Sequence, residues 1–452
     1  MTDNPALTAA ARGAVLPVFI LDDTLPWAPG AASRWWLHES LSSLGSELSR
    51  LGASLVLRRG PALTVLKSLV AEAGITRVVW NRLYEPAAAA RGAEVKAALT
   101  ARGIAVESYN ASCLAEPWHL PRPYQVFAPF WRALQERGEP SQPLPPPLRL
   151  VPAAAAARSE TLSDWKLQPN KPDWAEGLRA TWTPGEAGAA ARIDAFCEVA
   201  PGYGRARDFP GEEGTSRLSP HLHFGEVSPR QVWHAIRARV PDADIYLREL
   251  AWREFSIHLL HQSPTLPEEP LRSAFADFPW RRDPAQLRAW RHGRTGYPIV
   301  DAGMRQLWRT GWMHNRVRMI VASFLVKHLL LPWQEGEAWF WDTLVDADLA
   351  NNAANWQWVA GCGADAATYF RIFNPVLQGE KFDPAGAYVR RWVPEIARLP
   401  NAVLHKPWQA SAASLDEAGI RLGDTYPRPI VDHAAARARA LAAFNGIRAK
   451  AA

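Results

Sequence analysis

"VLPVFILDD", residues 15–23, is the stretch that decides the architecture of the N-terminal part of this chain. It is a short apolar run, rich in β-branched residues and closed by two aspartates, as is typical of a buried strand. Three comparable runs follow along the chain: "SLVLRRG" (54–60), "RVVWNRLYE" (77–85) and "AVESYN" (105–110). We therefore predict four buried strands in this region.

Helical patterns fill the gaps between these runs. The segments with the apolar periodicity of helices are residues 31–51, 61–74 and 86–102. Each is closed by a glycine suited to a C-terminal cap: Gly52, Gly74 and Gly103. Alternating strands and helices indicate βαβ units and a parallel sheet. We predict an α/β, Rossmann-like domain over residues 1–116.

The remainder of the chain has a different pattern. Residues 117–190 are rich in Pro and Ala and include "LPPPLRLVPAAAAARSE". A loop of that length is uncommon inside one domain, so we predict an interdomain linker. From residue 191 to residue 452, helical spacing recurs without strand alternation. We predict an all-α domain there.

Positive charge is concentrated in one segment. The 452 residues carry a formal net charge of +6, but residues 271–330 alone hold 11 Lys and Arg against 3 Asp. Four tryptophans lie among them: Trp280, Trp290, Trp308 and Trp312. This combination suits a nucleic-acid footprint or, equally, a solvated helical face.

Cysteine usage and hydropathy indicate a cellular location. Cys113, Cys197 and Cys362 lie far apart, in no metal or disulfide spacing, which favours a reducing cytoplasm. No apolar run reaches about 18 residues, and no signal peptide opens the chain. We expect a cytoplasmic protein, associated with the nucleoid if it is bacterial, and we predict no metal site.

Two motifs carry candidate binding residues. In "GTSRLSPHLHFGEVSPR" (214–230), hydroxyl groups and loop N–H groups suit either phosphate binding or plain helix capping. In "ELAWREFSIHLL" (249–260), Glu249, Trp252 and Arg253 share one helical face. An acid, a large ring and a guanidinium there suit a planar polar ligand. A structural salt bridge between Glu249 and Arg253 is the alternative.

Two further motifs contain charges that need partners. "GWMHNRVRMIVASFLVKHLLLPW" (311–333) places His314, Asn315, Arg316, Arg318 and Met319 before an apolar helix. A buried arginine needs an acid, because an unpaired buried charge costs several kcal/mol. "DADLANNAANWQW" (346–358) offers Asp346 and Asp348. A metal–diphosphate site is a weaker interpretation of this Asp-x-Asp pair, given the surrounding Asn and Trp residues.

The order of the motifs resembles one family. "TSRLSP", "WREF", "TGYPIVDAGMRQL", "TGWMHNRVRM", "DADLANN", "NWQW" and "YFRIFNPVLQGEKFD" follow one another as in the DNA photolyase/cryptochrome family. The resemblance is densest over residues 200–395. It is weaker over the N-terminal domain, where it implies a domain of the antenna-binding type over residues 1–116. Within the family, the chain most resembles photolyases that split cyclobutane pyrimidine dimers.

This resemblance implies FAD as the cofactor, active as FADH⁻. Arg318 and Asp346 match the charge pair beside the isoalloxazine ring, and Asn352 matches the amide that faces N5. Asp346 and Asp348 match the acids that flank the polar edge of the flavin. The implied cofactor-binding residues are Tyr203, Thr215, Ser216, Arg217, Leu218, Ser219, Asn315, Arg318, Asp346, Ala347, Asp348 and Asn352.

The resemblance also implies a lesion site in UV-damaged DNA. Glu249 matches the carboxylate that hydrogen-bonds the dimer, and Trp252 and Trp358 match the aromatic walls around it. The implied DNA- and lesion-contacting residues are Glu249, Trp252, Arg253, Asn315, Arg316, Met319, Trp358 and Gln378. Trp356, Trp333 and Trp280 match the chain of indoles that carries electrons between flavin and surface. The implied reaction is blue-light-driven splitting of the dimer by a monomeric lyase.

The chain departs from the family pattern at two places. Relatives have a strand before "xDNPAL", whereas this chain begins at Met1 with "TDNPALTAAA". We expect a sheet without its first strand and a native start upstream, which N-terminal mass spectrometry tests. The folate-binding segment reads "YEPAAAARG" (84–92), with Ala87 and Ala88 replacing its polar pair. We expect no folate; a deazaflavin, another flavin or no antenna remain open.

Two other functions within the family are possible. One is a cryptochrome photoreceptor, and the other is repair of (6-4) photoproducts. Glu249, the amide of Asn352 and the lack of a long C-terminal tail favour dimer repair over signalling. Met319 stands in "NRVRM", whereas the (6-4) branch carries a histidine in its lesion pocket.

Overall fold

The computed structural model describes residues 1–154, 157–366 and 370–451. Ala155 and Ala156 of the predicted linker and Tyr369 of "YFRIFNP" lie outside this range. The chain divides into two compact units. The first unit comprises Met1–Pro201, Ser216–Pro264 and Asp348–Ala350, and the second comprises Gly202–Thr215, Thr265–Ala347 and Asn351–Ala452.

Among its described residues, the first unit contains six short strands in three parallel pairs. The strands are β1 (Ala14–Val15), β2 (Val18–Leu21), β3 (Val56–Arg59), β4 (Arg77–Asn81), β5 (Ala105–Tyr109) and β6 (Val151–Pro152). Within the described residues, β1 pairs with β6, β2 with β3, and β4 with β5. In register, Val18 faces Val56 and Arg77 faces Ala105. The parallel arrangement predicted from the sequence is therefore present, as separate pairs.

The strands are less buried than the sequence predicts. Every residue of β4 and most of β2 and β5 are only half-buried. Among the described residues each strand pairs with a single partner strand, and a strand with one free edge buries less of its surface. Helix α1 (Pro5–Ala10) lies beside β4: the Ala6 N–H donates to Asn81 Oδ1 at 3.2 Å.

Helices flank these strands close to their predicted positions. Gly74 caps α3 with a φ of 61°, as its position predicts. The predicted linker also contains helices. The helices of the first unit are α1, α2 (Ala31–Arg50), α3 (Ala62–Ala73), α4 (Pro86–Thr100), α5 (Phe127–Gln135), α6 (Glu176–Thr181), α7 (Glu186–Val199), α9 (Ser219–His223), α10 (Pro229–Arg239) and α11 (Asp244–Gln262), with 3₁₀ turns at Pro117–His119, Leu162–Trp165 and Ala200–Gly202. The predicted boundaries at residues 116 and 190 remain predictions.

The second unit is helical within its described residues. Its helices are α8 (Tyr203–Ala206), α12 (Pro284–Arg291), α13 (Pro298–Thr310), α14 (Asn315–Ser323), α15 (Trp333–Thr343), α16 (Leu349–Ala360, whose first two residues belong to the first unit), α17 (Pro375–Phe382), α18 (Ala387–Trp392), α19 (Asn401–Leu404), α20 (Ala412–Ala418) and α21 (His433–Ala451), with a π-helical turn at Phe324–His328 and 3₁₀ turns at Ser273–Asp277, Pro394–Ile396 and Pro407–Gln409. Among the described residues, no helix combines the length and apolar character needed to cross a membrane.

A large apolar cluster lies in the core of the second unit. It extends from Phe275 to Ile447 and includes the buried rings of Trp290, Trp333 and Trp356. Helices α13 and α14 approach closely at Gly303, where an added Cβ would lie 2.4 Å from a Val317 methyl. The core therefore holds α14, with its row of polar side chains, in a fixed position.

Candidate functional site

Arg318 and Asp346 form a buried ion pair in the second unit. The Arg318 guanidinium donates from Nη2 to both Asp346 oxygens, at 3.1 and 2.8 Å, and from Nε to the Met313 carbonyl at 2.7 Å. The Asp346 side chain is 3% exposed and that of Arg318 is 25% exposed. Asp346 is thus the acid partner that a buried arginine in this motif was expected to need.

The start of α14 presents a second arginine. The His314 ring accepts the Arg316 N–H at 3.2 Å, so a histidine caps this helix. Arg316 donates from Nη2 to Asp208 at 2.6 Å, and its guanidinium lies 4.4 Å from the Phe382 ring centre. Asn315 is exposed at the first position of the helix, and Met319 is half-buried. These residues form one polar edge of α14.

Asn352 is buried on α16 and its amide is held in one orientation. Its Nδ2 donates to the Glu337 carbonyl at 3.0 Å. An amide NH₂ carries two hydrogens, and this bond uses one of them. Trp356 lies one turn further along the same helix and is 2% exposed. Its ring lies directly on Gly336, so α15 supports both side chains.

Glu337 is a buried acid that the sequence did not reveal. The carboxyl is fully buried, and neither oxygen has a hydrogen-bond partner among the described residues. Burial, and to a lesser extent the charge of Glu268, raise the pKa of Glu337 to about 9. The side chain is therefore a neutral carboxylic acid at pH 7, beside the helix turn that holds Asn352.

Replacing Glu337 by glutamine is expected to make the protein less sensitive to high pH. The folded-state pKa lies above the unfolded value of about 4.3, so the native state holds the extra proton. The free energy of unfolding is therefore highest below the unfolded-state pKa of Glu337. As the pH rises from there towards the folded-state pKa, it falls by about 1.4 kcal/mol per pH unit. Between about pH 5.5 and pH 8 the wild type should lose roughly 2–4 kcal/mol relative to Glu337→Gln, measured by thermal unfolding.

Glu335 supplies the control for this measurement. It lies on the same helix, is partly exposed and pairs with Arg291 at 3.1 Å. Glu335→Gln should keep the wild-type pH dependence. If Glu337→Gln and the wild type lose stability in parallel as pH rises, Glu337 is not held neutral in the folded state.

The three indoles of the predicted electron path belong to one apolar cluster. Trp333 and Trp356 are buried in it, and Trp280 is half-buried against it. Trp280 contacts Phe278, with ring centres 4.3 Å apart, and Trp356 contacts Phe340 at 5.0 Å. The apolar surroundings exclude water from Trp333 and Trp356, and the partial exposure of Trp280 places it near solvent.

The other predicted residues of the second unit lie in separate places. Tyr203 is buried at the start of α8, and Ala347 is buried beside Asp346. Thr215 is half-buried. Trp358 is half-buried, and its Nε1 donates to the Asp365 carbonyl at 3.1 Å. Gln378 is half-buried on α17.

In the first unit, the serine-rich loop is tightly organised. Ser216 Oγ accepts the Leu218 N–H at 3.3 Å and the Tyr246 hydroxyl at 3.0 Å. Arg217 has a positive φ of 53°, which is uncommon for a residue with a side chain. Leu218 is buried, and Ser219 is exposed at the start of α9. The loop therefore turns sharply at Arg217, and its Ser216 hydroxyl is held by bonds from both sides.

Helix α11 arranges the predicted lesion residues. The Trp252 ring stacks on Phe127 with centres 3.7 Å apart and planes at 6°. Arg253 donates to the Ser112 carbonyl at 2.6 Å and lies 3.6 Å from Glu254. Glu249 is half-buried one turn before. An acid, an indole held by a second ring, and a fixed guanidinium therefore occupy one side of the helix.

Asp348 has a partner in the first unit. It lies 3.5 Å from the His223 ring. Burial opposes charge on His223, but the hydrogen bond and charge of Asp348 prevail and raise its pKa. Burial also raises the pKa of Glu85, and the charge of Asp348 adds to the effect. His223 is thus paired with an acid, as is the neighbouring His221, whose ring lies 2.5 Å from Glu226.

Several supporting residues had no clear signal in the sequence. Glu254 accepts the N–H groups of Leu114 and Ala115, at 2.9 and 3.2 Å, and burial raises its pKa to about 7. Gln357 donates to two carbonyls and accepts one N–H, which fixes the turn of α16 between its two tryptophans. A polar residue inside an apolar helix was the only sign, and it did not identify the partner.

Comparisons with known proteins agree with this architecture. Residues 246–446 match the FAD binding domain of DNA photolyase, and residues 1–148 match DNA photolyase. The chain is 51% identical to deoxyribodipyrimidine photo-lyase of Agrobacterium fabrum, over 99% of this chain and 96% of that protein. It is 42% identical to cryptochrome-2 of Arabidopsis thaliana, over 96% of this chain and 75% of that protein.

A solved structure shows the same fold. The crystal structure of a bacterial class III photolyase from Agrobacterium tumefaciens has a TM-score of 0.96 and 51% identity, over 99% of this chain and 95% of that one. The fold is thus an N-terminal α/β part with parallel strands and a helical, FAD-binding C-terminal part. The chain belongs to the DNA photolyase and cryptochrome family, and its cofactor is FAD.

The residues present fit this cofactor. A flavin carries hydrogen-bond donors and acceptors along one edge of a flat ring, and it carries a diphosphate. The second unit offers a buried ion pair, Arg318–Asp346, and an oriented neutral amide, Asn352. The first unit offers the hydroxyl-rich turn at 216–219. These are the donor types that such a ring and phosphate require.

Proposed function

We propose that this chain is a light-dependent DNA repair enzyme that splits cyclobutane pyrimidine dimers. The observation that carries the proposal is its 51% identity, over almost the full length of both chains, to a deoxyribodipyrimidine photo-lyase. The lesion-side residue types on α11 support it independently. Such an enzyme is a carbon–carbon lyase, and its partner is UV-damaged DNA.

In this proposal the lesion side is formed by residue types that suit a flipped pyrimidine pair. Trp252, supported by Phe127, offers an indole face on which a pyrimidine can pack. Glu249 hydrogen-bonds the polar edge of the bases. Trp358 provides a second wall. Arg253, Asn315, Arg316, Met319 and Gln378 contact the lesion or the strand around it.

The flavin side is formed by neutral and paired groups. When bound in its reduced form, FAD would supply, on absorbing blue light, the electron that opens the cyclobutane ring, and the electron would return to it once the two bases have separated. Arg318 and Asp346 would hold the polar edge of the flavin ring, and Asn352 has a second amide N–H that could donate to the ring without adding a charge. Ser216 and the turn through Arg217 bind phosphate. Tyr203, Thr215, Leu218, Ser219, Ala347 and Asp348 complete the proposed cofactor contacts.

Removing the Glu249 carboxylate is expected to lower repair more than binding. Glu249→Ala loses a hydrogen bond that strengthens when the dimer gains charge, so dimers repaired per absorbed photon should fall about threefold to tenfold. The Kd for damaged DNA should change little. Glu249→Gln keeps the shape and should be intermediate. Equal repair by wild type and Glu249→Ala would show that Glu249 takes no part in the reaction.

The indole path is expected to matter for flavin reduction and not for repair itself. Trp333→Phe replaces the middle indole of the predicted path with a ring that is harder to oxidise. Photoreduction of oxidised FAD should then be mostly lost, while pre-reduced protein repairs normally. Trp290→Phe is the control: it is equally buried in the same cluster and outside the predicted path. Normal photoreduction in Trp333→Phe would place the path elsewhere.

A cryptochrome photoreceptor is the second candidate. Its support is the 42% identity to cryptochrome-2 of Arabidopsis thaliana. The acid at Glu249 and the amide at Asn352 favour repair, and Met319 favours dimers over (6-4) photoproducts. Measuring repair of dimer-containing DNA and of (6-4)-containing DNA distinguishes a dimer photolyase, a (6-4) photolyase and a cryptochrome that repairs neither.

Three further properties belong to the proposal. We propose a monomer in the cytoplasm, which size-exclusion chromatography and cell fractionation test. A second antenna chromophore has no assigned identity, and folate is disfavoured because Ala87 and Ala88 replace polar residues. The absorption spectrum of the protein as purified, compared with that of FAD alone, reports any such chromophore.

A further inference from the structure

A small cavity in the second unit is lined by cations and aromatic rings. Its volume is about 40 Å³, enough for about three water molecules or one small anion. Three cationic side chains reach it: Arg272, Lys327 and Arg371. The rings around it are those of Trp358, Phe370, Phe373 and Phe444. Among the described residues that line the cavity, none is an Asp or Glu.

Lys327 is the most enclosed of the three cations. It is 5% exposed and lies in the π-helical turn Phe324–His328, where the apolar core surrounds it. Its Nζ donates to the Arg371 carbonyl and lies 4.6 Å from the centre of the Phe370 ring. An ammonium has three hydrogens, and one carbonyl satisfies one of them. The other two need acceptors.

The described residues that line the cavity therefore supply positive charge and no carboxylate. Burial, and then the positive charge of Arg371, lower the pKa of Lys327 to about 7. Arg272 reaches the carbonyls of Gly361 and Ala366 only at 3.3 and 3.4 Å, so its guanidinium is weakly engaged. Water can accept hydrogen bonds here but cannot offset the charge. An anion does both.

We propose that this cavity binds a phosphate group through Lys327 and Arg272, with Arg371 at its mouth. A phosphate offers oxygens to several donors at once, and charge-assisted hydrogen bonds to it are stronger than those to water. Arg371 is exposed, whereas Lys327 is buried, so the cavity opens on the arginine side and an anion enters from there.

The source of the phosphate is either free phosphate or the backbone of the damaged strand. Trp358, a proposed wall of the lesion site, also lines this cavity. A strand whose dimer packs on one side of Trp358 carries phosphates close by. This second source rests on the proposed function, and the first does not.

Phosphate binding by the FAD-loaded protein in the dark tests the proposal. Wild type, Lys327→Met, Arg272→Gln and Lys406→Met are titrated with sodium phosphate by calorimetry, against sodium chloride of equal ionic strength. Lys406 pairs with Glu380 at 2.8 Å away from the cavity, so its variant loses the same charge. We expect phosphate binding to weaken about tenfold in Lys327→Met and several-fold in Arg272→Gln. Lys406→Met should bind as wild type does.

Binding of a dimer-containing oligonucleotide, also in the dark, identifies the source. If Lys327→Met weakens DNA binding more than Lys406→Met does, the occupant is a strand phosphate. If only inorganic phosphate binding falls, the occupant is free phosphate. Because Arg272 is exposed, Arg272→Gln should fold even where Lys327→Met does not. The proposal is overturned if wild type binds phosphate no better than chloride and the cavity variants bind DNA as Lys406→Met does. Neither measurement needs repair, so failure of the proposed reaction leaves this test intact.

Discussion

Asp346→Ala should lose at least nine-tenths of its bound FAD. The substitution removes the carboxylate that accepts both bonds from Arg318 Nη2. The largely buried guanidinium then keeps its bond to the Met313 carbonyl but loses its counter-charge. Breaking a buried pair costs about 3–5 kcal/mol, and the partial exposure of Arg318 reduces this to about 2–4 kcal/mol. Because the same pair orients the proposed flavin edge, the loss should appear both in the FAD content after purification and in the thermal unfolding midpoint.

Asp346→Asn separates the two effects. Asparagine keeps the shape and one acceptor oxygen but not the charge, so we expect intermediate FAD content and a smaller shift of the midpoint. Wild-type FAD content and an unchanged midpoint in Asp346→Ala would show that the pair neither holds the cofactor nor stabilises the second unit.

Gly336→Ala should destabilise the protein although alanine favours helix. A Cβ at position 336 would lie 2.1 Å from the Trp356 ring. Helix propensity favours alanine over glycine by about 1 kcal/mol, but an overpacked core site costs about 1–3 kcal/mol, occasionally more. The ring must move, and Asn352 lies one turn away on the same helix. Thermal unfolding and photoreduction of FAD should both be impaired.

Gly45→Ala is the matched control for this substitution. Gly45 lies inside α2, and no heavy atom lies within 4 Å of an added Cβ. There only the helix propensity acts, so stability should rise by up to about 1 kcal/mol. Opposite signs for the two variants identify close packing on Trp356 as the cause. A stabilising Gly336→Ala would mean that the indole is not packed against this helix.

The α/β part was predictable because its signals are local. Alternating apolar runs and glycine caps placed β2 to β5 and α2 to α4 within a few residues of their observed ends. The burial of each strand could not be predicted from local sequence, because it depends on which strands pair. The separate pairs leave β4 half-exposed. The apolar stretch within residues 311–333 was expected to be helical, yet α14 gives way to the π turn at Phe324–His328, where α21 packs.

The candidate site was predictable in part. The motif order identified the family, and the need of a buried arginine for an acid narrowed the partner of Arg318 to two aspartates. Asn351, Asn352 and Asn355 lie inside α16 against their intrinsic propensity, because tertiary and local bonds such as Asn352–Glu337 satisfy their amides. The burial of Glu337 and Lys327 could not be predicted from the sequence, since it depends on segments that are distant along the chain. The roles of the individual residues remain predictions.

Repair of a dimer-containing oligonucleotide by FAD-loaded, reduced protein tests the central claim most directly. Identical samples are kept in blue light or in the dark, with an oligonucleotide that carries a (6-4) photoproduct as control. We predict that cyclobutane dimers disappear in the light alone and that the (6-4) lesion persists in both. Equal dimer levels in light and dark would contradict the account.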